Sequence, residues 1–205
     1  MYKTVVSVLF ASVLFLASGI SHAEEKRPLL GDFNAGATVG VGLPSPVSFQ
    51  LLGKYKKLVG VNVEYGFLPE LRLPVGDGVN ISQHMADFSL HLYPFKGAFF
   101  LGCGVGFQNL AASATTTQQG VTGKATAEVD TVFLSPRLGF LHRFDFGLAI
   151  GMDVGVQLPV SGSTSISGSA GGVNLTPPKD ATDVADKIQT TPIPIVHLLQ
   201  LGYVF

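Results

Sequence analysis

Five ionisable residues stand out because the positions around them are small or apolar: Glu64, Asp87, His91, Arg137 and Asp153. An unpaired charge on such a wall is costly, and one guanidinium set against two or three carboxylates removes that cost. Three kinds of chemistry fit the set. A packed salt-bridge cluster needs only mutual contact. A gated path for protons or small solutes needs the same groups to line a conduit, and an acid/base pair needs two of them to face a substrate at a definite separation. The first asks least of the spacing and is the expectation carried forward.

Other motifs are weaker. Ser82-Gln83-His84 places a hydroxyl and an imidazole two residues apart, on one face of a strand, but a nucleophile and its base have to touch. Gly102-Cys103-Gly104-Val105-Gly106 lacks the GxGxxG spacing and the following helix of a nucleotide loop. Cys103 is the only cysteine, which excludes an internal disulfide and a Cys-based zinc cluster and reads as a small apolar residue. No cofactor, no metal site and no catalytic residue is assigned, and no enzyme activity is expected.

The elements that must hold these groups follow from composition and period. The first residues, MYK, precede an apolar run from Thr4 to Ile20 and then Ser21-His22-Ala23, the order of a secretory signal peptide cleaved after Ala23. Residues 1–23 are therefore assigned to the signal and residues 24–205 to one domain. The chain is 46% hydrophobic and only 13% charged, yet beyond the leader nothing approaches the ~20 apolar residues of a membrane helix. In hydrocarbon the remaining way to satisfy a backbone is a closed β-barrel. A formal charge of −1 offers no basic surplus for nucleic acid.

Alternation of period two recurs eight times, at about Asp32–Leu43, Val47–Tyr55, Leu58–Phe67, Ile81–Tyr93, Phe99–Gln108, Thr131–Leu141, Gly147–Leu158 and Ile193–Phe205. The seventh is the cleanest, with Leu148, Ile150, Met152, Val154, Val156 and Leu158 set against glycines, Ala149, Asp153 and Gln157. Pro136 interrupts the sixth and predicts a bulge or an outer end. In the eighth, Ile195, Leu199, Leu201, Tyr203 and Phe205 read as outward, and Val196, Leu198, Gln200 and Val204 as inward. Thirteen of the 25 glycines fall on the inward face, as a narrow barrel filled by its own side chains requires. His142 and His197 read as interface residues that keep a polar edge hydrated.

Links between these segments alternate. Gly53–Lys57, Pro94–Gly97 and His142–Asp145 are short, whereas Pro69–Asn80, Asn109–Asp130 and Pro159–Pro192 are long, with Pro44–Pro46 the one short member of the second set. Tight turns at one rim and longer loops at the other are the pattern of outer-membrane barrels. Aromatic residues fall into two bands, dense at the short-turn rim (Phe33, Tyr55, Tyr93, Phe95, Phe99, Phe140, Phe144, Phe146, Tyr203, Phe205) and sparse at the other (Phe49, Phe67, Phe107). The chain closes on LLQLGYVF. An aromatic terminus with Leu199, Leu201, Tyr203 and Phe205 at alternate positions resembles the C-terminal signature of small bacterial outer-membrane β-barrel proteins, most closely the eight-stranded OmpA/OmpX-type group.

That resemblance implies an all-β fold, an eight-stranded antiparallel up-and-down transmembrane β-barrel in the outer membrane of a Gram-negative cell envelope. It implies that the C-terminal signature is read by the barrel-assembly machinery during biogenesis, and that the last strand pairs with the first. Outer-membrane lipid and lipopolysaccharide are the expected partners, and the expected state is a monomer. The primary functional expectation is a structural or surface-interaction role through the extracellular loops. The alternative is a narrow, porin-like gated conduit lined by Glu64, Asp87, Arg137 and Asp153, or one for small hydrophobic molecules if Val196, Leu198 and Val204 line it. A lipid-modifying barrel enzyme is the third reading. Lipid A deacylase barrels carry a His-x-Ser order that Ser82-Gln83-His84 reverses.

Overall fold

The computed structural model describes residues 33–73, 79–118, 121–170, 173–175 and 190–205. The leader assigned to residues 1–23, and residues 180–189 of the link read as a long loop, lie outside the described residues. Ten strands follow in order: β1 Phe33–Leu43, β2 Val47–Tyr55, β3 Val59–Leu73, β4 Val79–Leu92, β5 Phe99–Gln118, β6 Val121–Leu134, β7 Arg137–Arg143, β8 Leu148–Ala170, β9 Val173–Leu175 and β10 Ile193–Val204. The pairings between these strands are antiparallel. β10 pairs with β8 on one side and β1 on the other, so the sheet closes into a ring. Among the described residues no helix is long and apolar enough to cross a membrane.

Eight staves make the wall, because β6 and β7 form one and the three-residue β9 only pairs with the far end of β8. β5 pairs with β6 down to Val105↔Leu134 and resumes with β7 at Gly102↔Arg137. Across the gap, Ser135 and Gly104 exchange backbone hydrogen bonds of 2.9 and 3.2 Å, and the Pro136 carbonyl accepts from Val156 N at 3.1 Å. Proline has no N–H to give the ladder, so the stave breaks there while its neighbours stay satisfied. The stave is also longer than the Thr131–Leu141 expected. Much of the expected loop Asn109–Asp130 is hairpin, paired out to Gln118↔Val121, and β8 runs on to Ala170 through much of the expected loop Pro159–Pro192.

The period-two pattern sorts side chains as anticipated over most of the ring. On β4, Met85, Asp87, Ser89 and His91 are buried while the residues between them are exposed. Exposed Val63, Phe88, Leu90, Val105, Leu138, Met152 and Leu201 belong to an apolar exterior that runs round the staves. An apolar surface of that extent is a solvent statement: it is stable against lipid tails and not against water.

The last strand is the exception. Between His197 and Gln200 its register against β8 shifts by a bulge, and a shift also occurs opposite it in β1. Ile195 and His197 are therefore buried on the inside, and Leu198 is 71% exposed. The expected facing of Ile195 and Leu198 is reversed, and His197 is an interior residue rather than an interface one. One added residue flips every side chain beyond it, so alternation read back from Phe205 fails past the bulge.

The short-turn rim is tied by geometry that few residues adopt freely. Lys56 and Lys57, at φ 50° and 57°, occupy the centre of the β2–β3 hairpin, where Leu58 N bonds Tyr55 O at 3.0 Å. Two positive φ angles match the twist of a two-residue hairpin. Gly147, at φ 95°, lies against the ring of Tyr203, where a Cβ would collide with the phenol. The aromatic end of the chain is thus seated on a glycine in the β7–β8 turn.

Phe88 lies midway along the apolar run of β4, opposite Val63 and Val105. Phe88→Arg should cost about 2–4 kcal/mol if that position faces the bilayer midplane. Urea unfolding in lipid vesicles measures this, and equal stability of the two proteins would place Phe88 away from lipid.

Candidate functional site

Four staves bring the five ionisable residues into the lumen: Glu64 from β3, Asp87 and His91 from β4, Arg137 from β7 and Asp153 from β8. All five are at most 8% exposed, and Glu64 is fully buried. Arg137 Nη1 donates to Glu64 Oε2 at 2.9 Å, and Arg137 Nη2 stands 3.1 Å from Asp87 Oδ1. Ser135 Oγ donates to the other oxygen of Asp87. His197 joins Glu64 to Asp153, with its ring nitrogens 2.9 Å from an oxygen of each, and Gln200 Nε2 donates to Asp153 Oδ2. Contacts at Asp87 Oδ1 and Glu64 Oε1 are close but off the hydrogen-bond line, so they act mainly through charge.

Three carboxylates thus surround one guanidinium and one imidazole. Both His197 nitrogens face carboxylate oxygens: Nδ1 shares a hydrogen bond with Asp153 Oδ1, and Nε2 stands 2.9 Å from Glu64 Oε1. His91 stands apart from this chain of contacts. It bonds Ser89 at 3.1 Å through Nε2 and stacks on Phe100 with centroids 4.2 Å apart. Tyr93 closes the stack toward the short-turn rim: it is 2% exposed, 5.7 Å from Phe100, and carries Lys54 Nζ 3.4 Å above its ring. Tyr93 therefore faces the lumen, as its place two residues beyond inward His91 requires, and leaves the aromatic band at the short-turn rim with one ring fewer on its outer side. Lys54 Nζ also donates to Gly97 O at 2.8 Å, pinning the β4–β5 turn to β2.

The glycines explain how so many groups fit. A Cβ on Gly102 would lie 2.8 Å from the His91 ring and 3.0 Å from Arg137 Cγ; one on Gly104 would lie 2.6 Å from Ser135 Oγ. One on Gly106 would strike the Phe133 ring, itself fully buried. The Gly102–Gly106 stretch makes room for the arginine, the serine and the phenylalanine opposite. With Phe100, Phe133 and Met85 filling the remaining width, the lumen is closed at the level of the ion cluster.

A second feature lies above the apolar belt. His84, Asn109, Asp130 and Ser163 are cross-strand neighbours in turn on the outward face of β4, β5, β6 and β8. His84 Nδ1 is 2.9 Å from Tyr65 Oη, and Asn109 donates to Asp130 at 2.8 Å. This polar row marks the upper edge of the belt. Beyond it β3–β6 and β8 continue as a wall, while the β1–β2 link at Pro44–Pro46 stays low. On that wall the faces exchange character: Leu110, Ala112, Val129, Ala127 and Ile166 line the inner side, and Ser82, Ser113, Thr126, Glu128 and Ser165 the outer. Ser82 and His84 lie on the same outward face, but the hydrogen bond His84 makes there is to Tyr65.

Of the C-terminal residues, Leu199, Leu201, Tyr203 and Phe205 all face outward, and the rings of Tyr203 and Phe205 meet edge to face at 5.0 Å. Sequence reasoning missed His197, Gln200 and Ser135 as members of the cluster. Ser135 and Gln200 carried a signal in their inward parity, whereas His197 was hidden by the bulge.

A closed ring of eight antiparallel staves, apolar outside and polar within, is the fold of small bacterial outer-membrane β-barrel proteins. Solved structures of the same fold include CarO2 of Acinetobacter baumannii, 13% identical, with 84% of this chain and 98% of that chain covered and a TM-score of 0.52. A major outer membrane protein of Thermus thermophilus is 14% identical over 84% of this chain and 98% of that one, with a TM-score of 0.49. No protein-family model matches the chain, and no curated protein matches it.

Removing one member of a buried ion pair strands the other. Arg137→Met should destabilise the barrel by about 3–5 kcal/mol, and adding Glu64→Gln should recover part of the loss. Urea unfolding of both variants checks this; additive losses in the double variant would mean that the two side chains do not support each other.

Proposed function

We propose that this chain is an integral outer-membrane protein with a closed lumen, whose role is structural and whose raised wall is its interaction surface. The observation that carries this reading is the ion cluster: Arg137 and Glu64, at 4% and 0% exposure, meet across the lumen among fully buried aromatic side chains. A conduit would leave such groups wet. The apolar belt supports membrane residence, and the fold shared with CarO2 supports the same class. On this reading a leader ending at Ala23 exports the chain to the outer membrane of a Gram-negative-type envelope. The assembly machinery recognises Leu199, Leu201, Tyr203 and Phe205, the barrel works as a monomer, and it catalyses no reaction on the lipids around it.

One observation favours a second reading, a gated path for small polar solutes. Ser45, Ser48, Gln50 and Asn62 follow one another along the β1–β3 side of the lumen, and each has a buried polar atom without a protein partner. Such a file suits water or a small hydrogen-bonding solute. The variant for hydrophobic molecules keeps Val204 inside but loses Leu198, which faces outward rather than into the lumen.

Single-channel recording of refolded protein in planar bilayers separates the two. The closed reading expects a silent membrane for the wild type and intermittent steps after Arg137→Ala, as the stranded carboxylates draw in water. Regular conductance steps in the wild type would reject it in favour of the conduit.

A further inference from the structure

Just above the polar row the outer face of the wall is notched. Glu70, Asn80 and Ser82 form one flank of a shallow cleft, Ser113 and Thr126 the other, with Ala111 and Ala112 between them. Its shape has local causes. The β3–β4 register shifts between Leu68 and Leu71, a bulge that carries Glu70. The small side chains of Ala111 and Ser113 leave the depression between that flank and Thr126, the register partner of Ser113.

Its height is set by the strands. Ser82 and Asn80 are the next two outward positions beyond His84 on β4, and Ala111 and Ser113 the next two beyond Asn109 on β5. Two residues of strand advance about 7 Å. The cleft therefore occupies the layer immediately outside the hydrocarbon, where headgroups lie in a bilayer whose polar zones add roughly 5–8 Å per side.

Its chemistry selects among headgroups. Three hydroxyls, one carboxamide and one carboxylate line it, and no lysine or arginine does. Arg72, the register partner of Asn80, is engaged in an interaction of its own. Glu128, the partner of Ala111, and Asp130 one step below add negative charge to the same face. A phosphate would meet like charge there. Among the described residues no group of three or more His, Cys, Asp or Glu is placed to hold a bridging metal ion. Sugar hydroxyls fit: each can donate to a carboxylate or carboxamide oxygen and accept from a serine or threonine.

We propose that this cleft binds the saccharide headgroup of an outer-leaflet glycolipid, whose acyl chains lie along the apolar belt below Phe107 and Ala86. This deepens the structural reading above and rests on its placement of the chain in the outer membrane. The sugar, and not the phosphate, is the recognised part. Glu70 accepts a charge-assisted hydrogen bond from a sugar hydroxyl, and the flanking serines and Thr126 complete the contacts.

The test uses the full mature chain refolded in detergent micelles, with its heat-modifiable gel mobility as the check on folding. Backbone amide shifts are followed by NMR during titration with rough-type lipopolysaccharide, with the same glycolipid after enzymatic dephosphorylation, and with phosphatidylglycerol. The expected result is saturable shifts centred on Ser82 and Ser113 for both glycolipids and none for phosphatidylglycerol. Ser113→Phe, which fills the notch, should abolish saturation, and Glu70→Gln should weaken it about tenfold, the scale of a hydrogen bond to a charged group. Loss of binding on dephosphorylation or with EDTA, or unchanged binding by Ser113→Phe, would overturn the proposal. A chain that refolds with normal gel mobility and binds no glycolipid sinks this inference alone, whereas failure to form a heat-modifiable barrel sinks the membrane reading beneath it.

Discussion

The pairing of β10 with β1 is the constraint on which the remaining structure depends. Eight register pairs, from Gly36↔Val204 to Leu43↔Val196, join the two ends of the sheet. In hydrocarbon an unpaired N–H or C=O costs several kcal/mol, so leaving that seam open would exceed the ~5–15 kcal/mol by which a typical protein is stable. Closure in turn forces curvature, and curvature forces small residues where backbones crowd. Gly36, Gly42 and Gly202 lie along the seam, and a Cβ on any of them would run into the main chain of the opposing strand. Tyr203, near the end of the seam, rests on Gly147. The aromatic end is thus held as part of the wall.

A narrow closed ring leaves its interior little choice. Charged side chains from five staves are confined together, and removing water from them makes mutual pairing the only inexpensive arrangement. Arg137 is central because a guanidinium can reach two carboxylates at once through different nitrogens, which an ammonium on a flexible stem does less well. His197 extends the chain of contacts to Asp153, so that β3, β4, β7, β8 and β10 are linked across the lumen as well as round it. Such cross-links tie opposite sides of the ring together across its width.

One sheet also serves two solvents. Below the row of His84, Asn109 and Asp130 the outward side chains are apolar and the inward ones polar; above it the assignment exchanges on β4, β5, β6 and β8. No change of backbone is needed, because alternate residues already point to opposite sides. The exchange records where lipid ends and water begins, and it makes the raised wall a water-facing surface outside with a small apolar patch of its own within.

How much of this was written in the order of residues depends on how local each feature is. The eight alternating segments, the glycine-rich inner face and the burial of Glu64, Asp87, His91, Arg137 and Asp153 follow from a period of two, which each strand expresses by itself. Pro136 announced its break for the same reason, since a missing N–H is a property of one residue. Other features depend on neighbours distant in sequence. The inward turn of Ile195 and His197 exists because β10 must bulge at Leu198 while pairing with β8 and β1 together. Which charges touch, and where the wall rises above the low β1–β2 link, likewise had to await the closed ring. Alternation fixes sides within a strand, and only closure decides register, height and partner between strands.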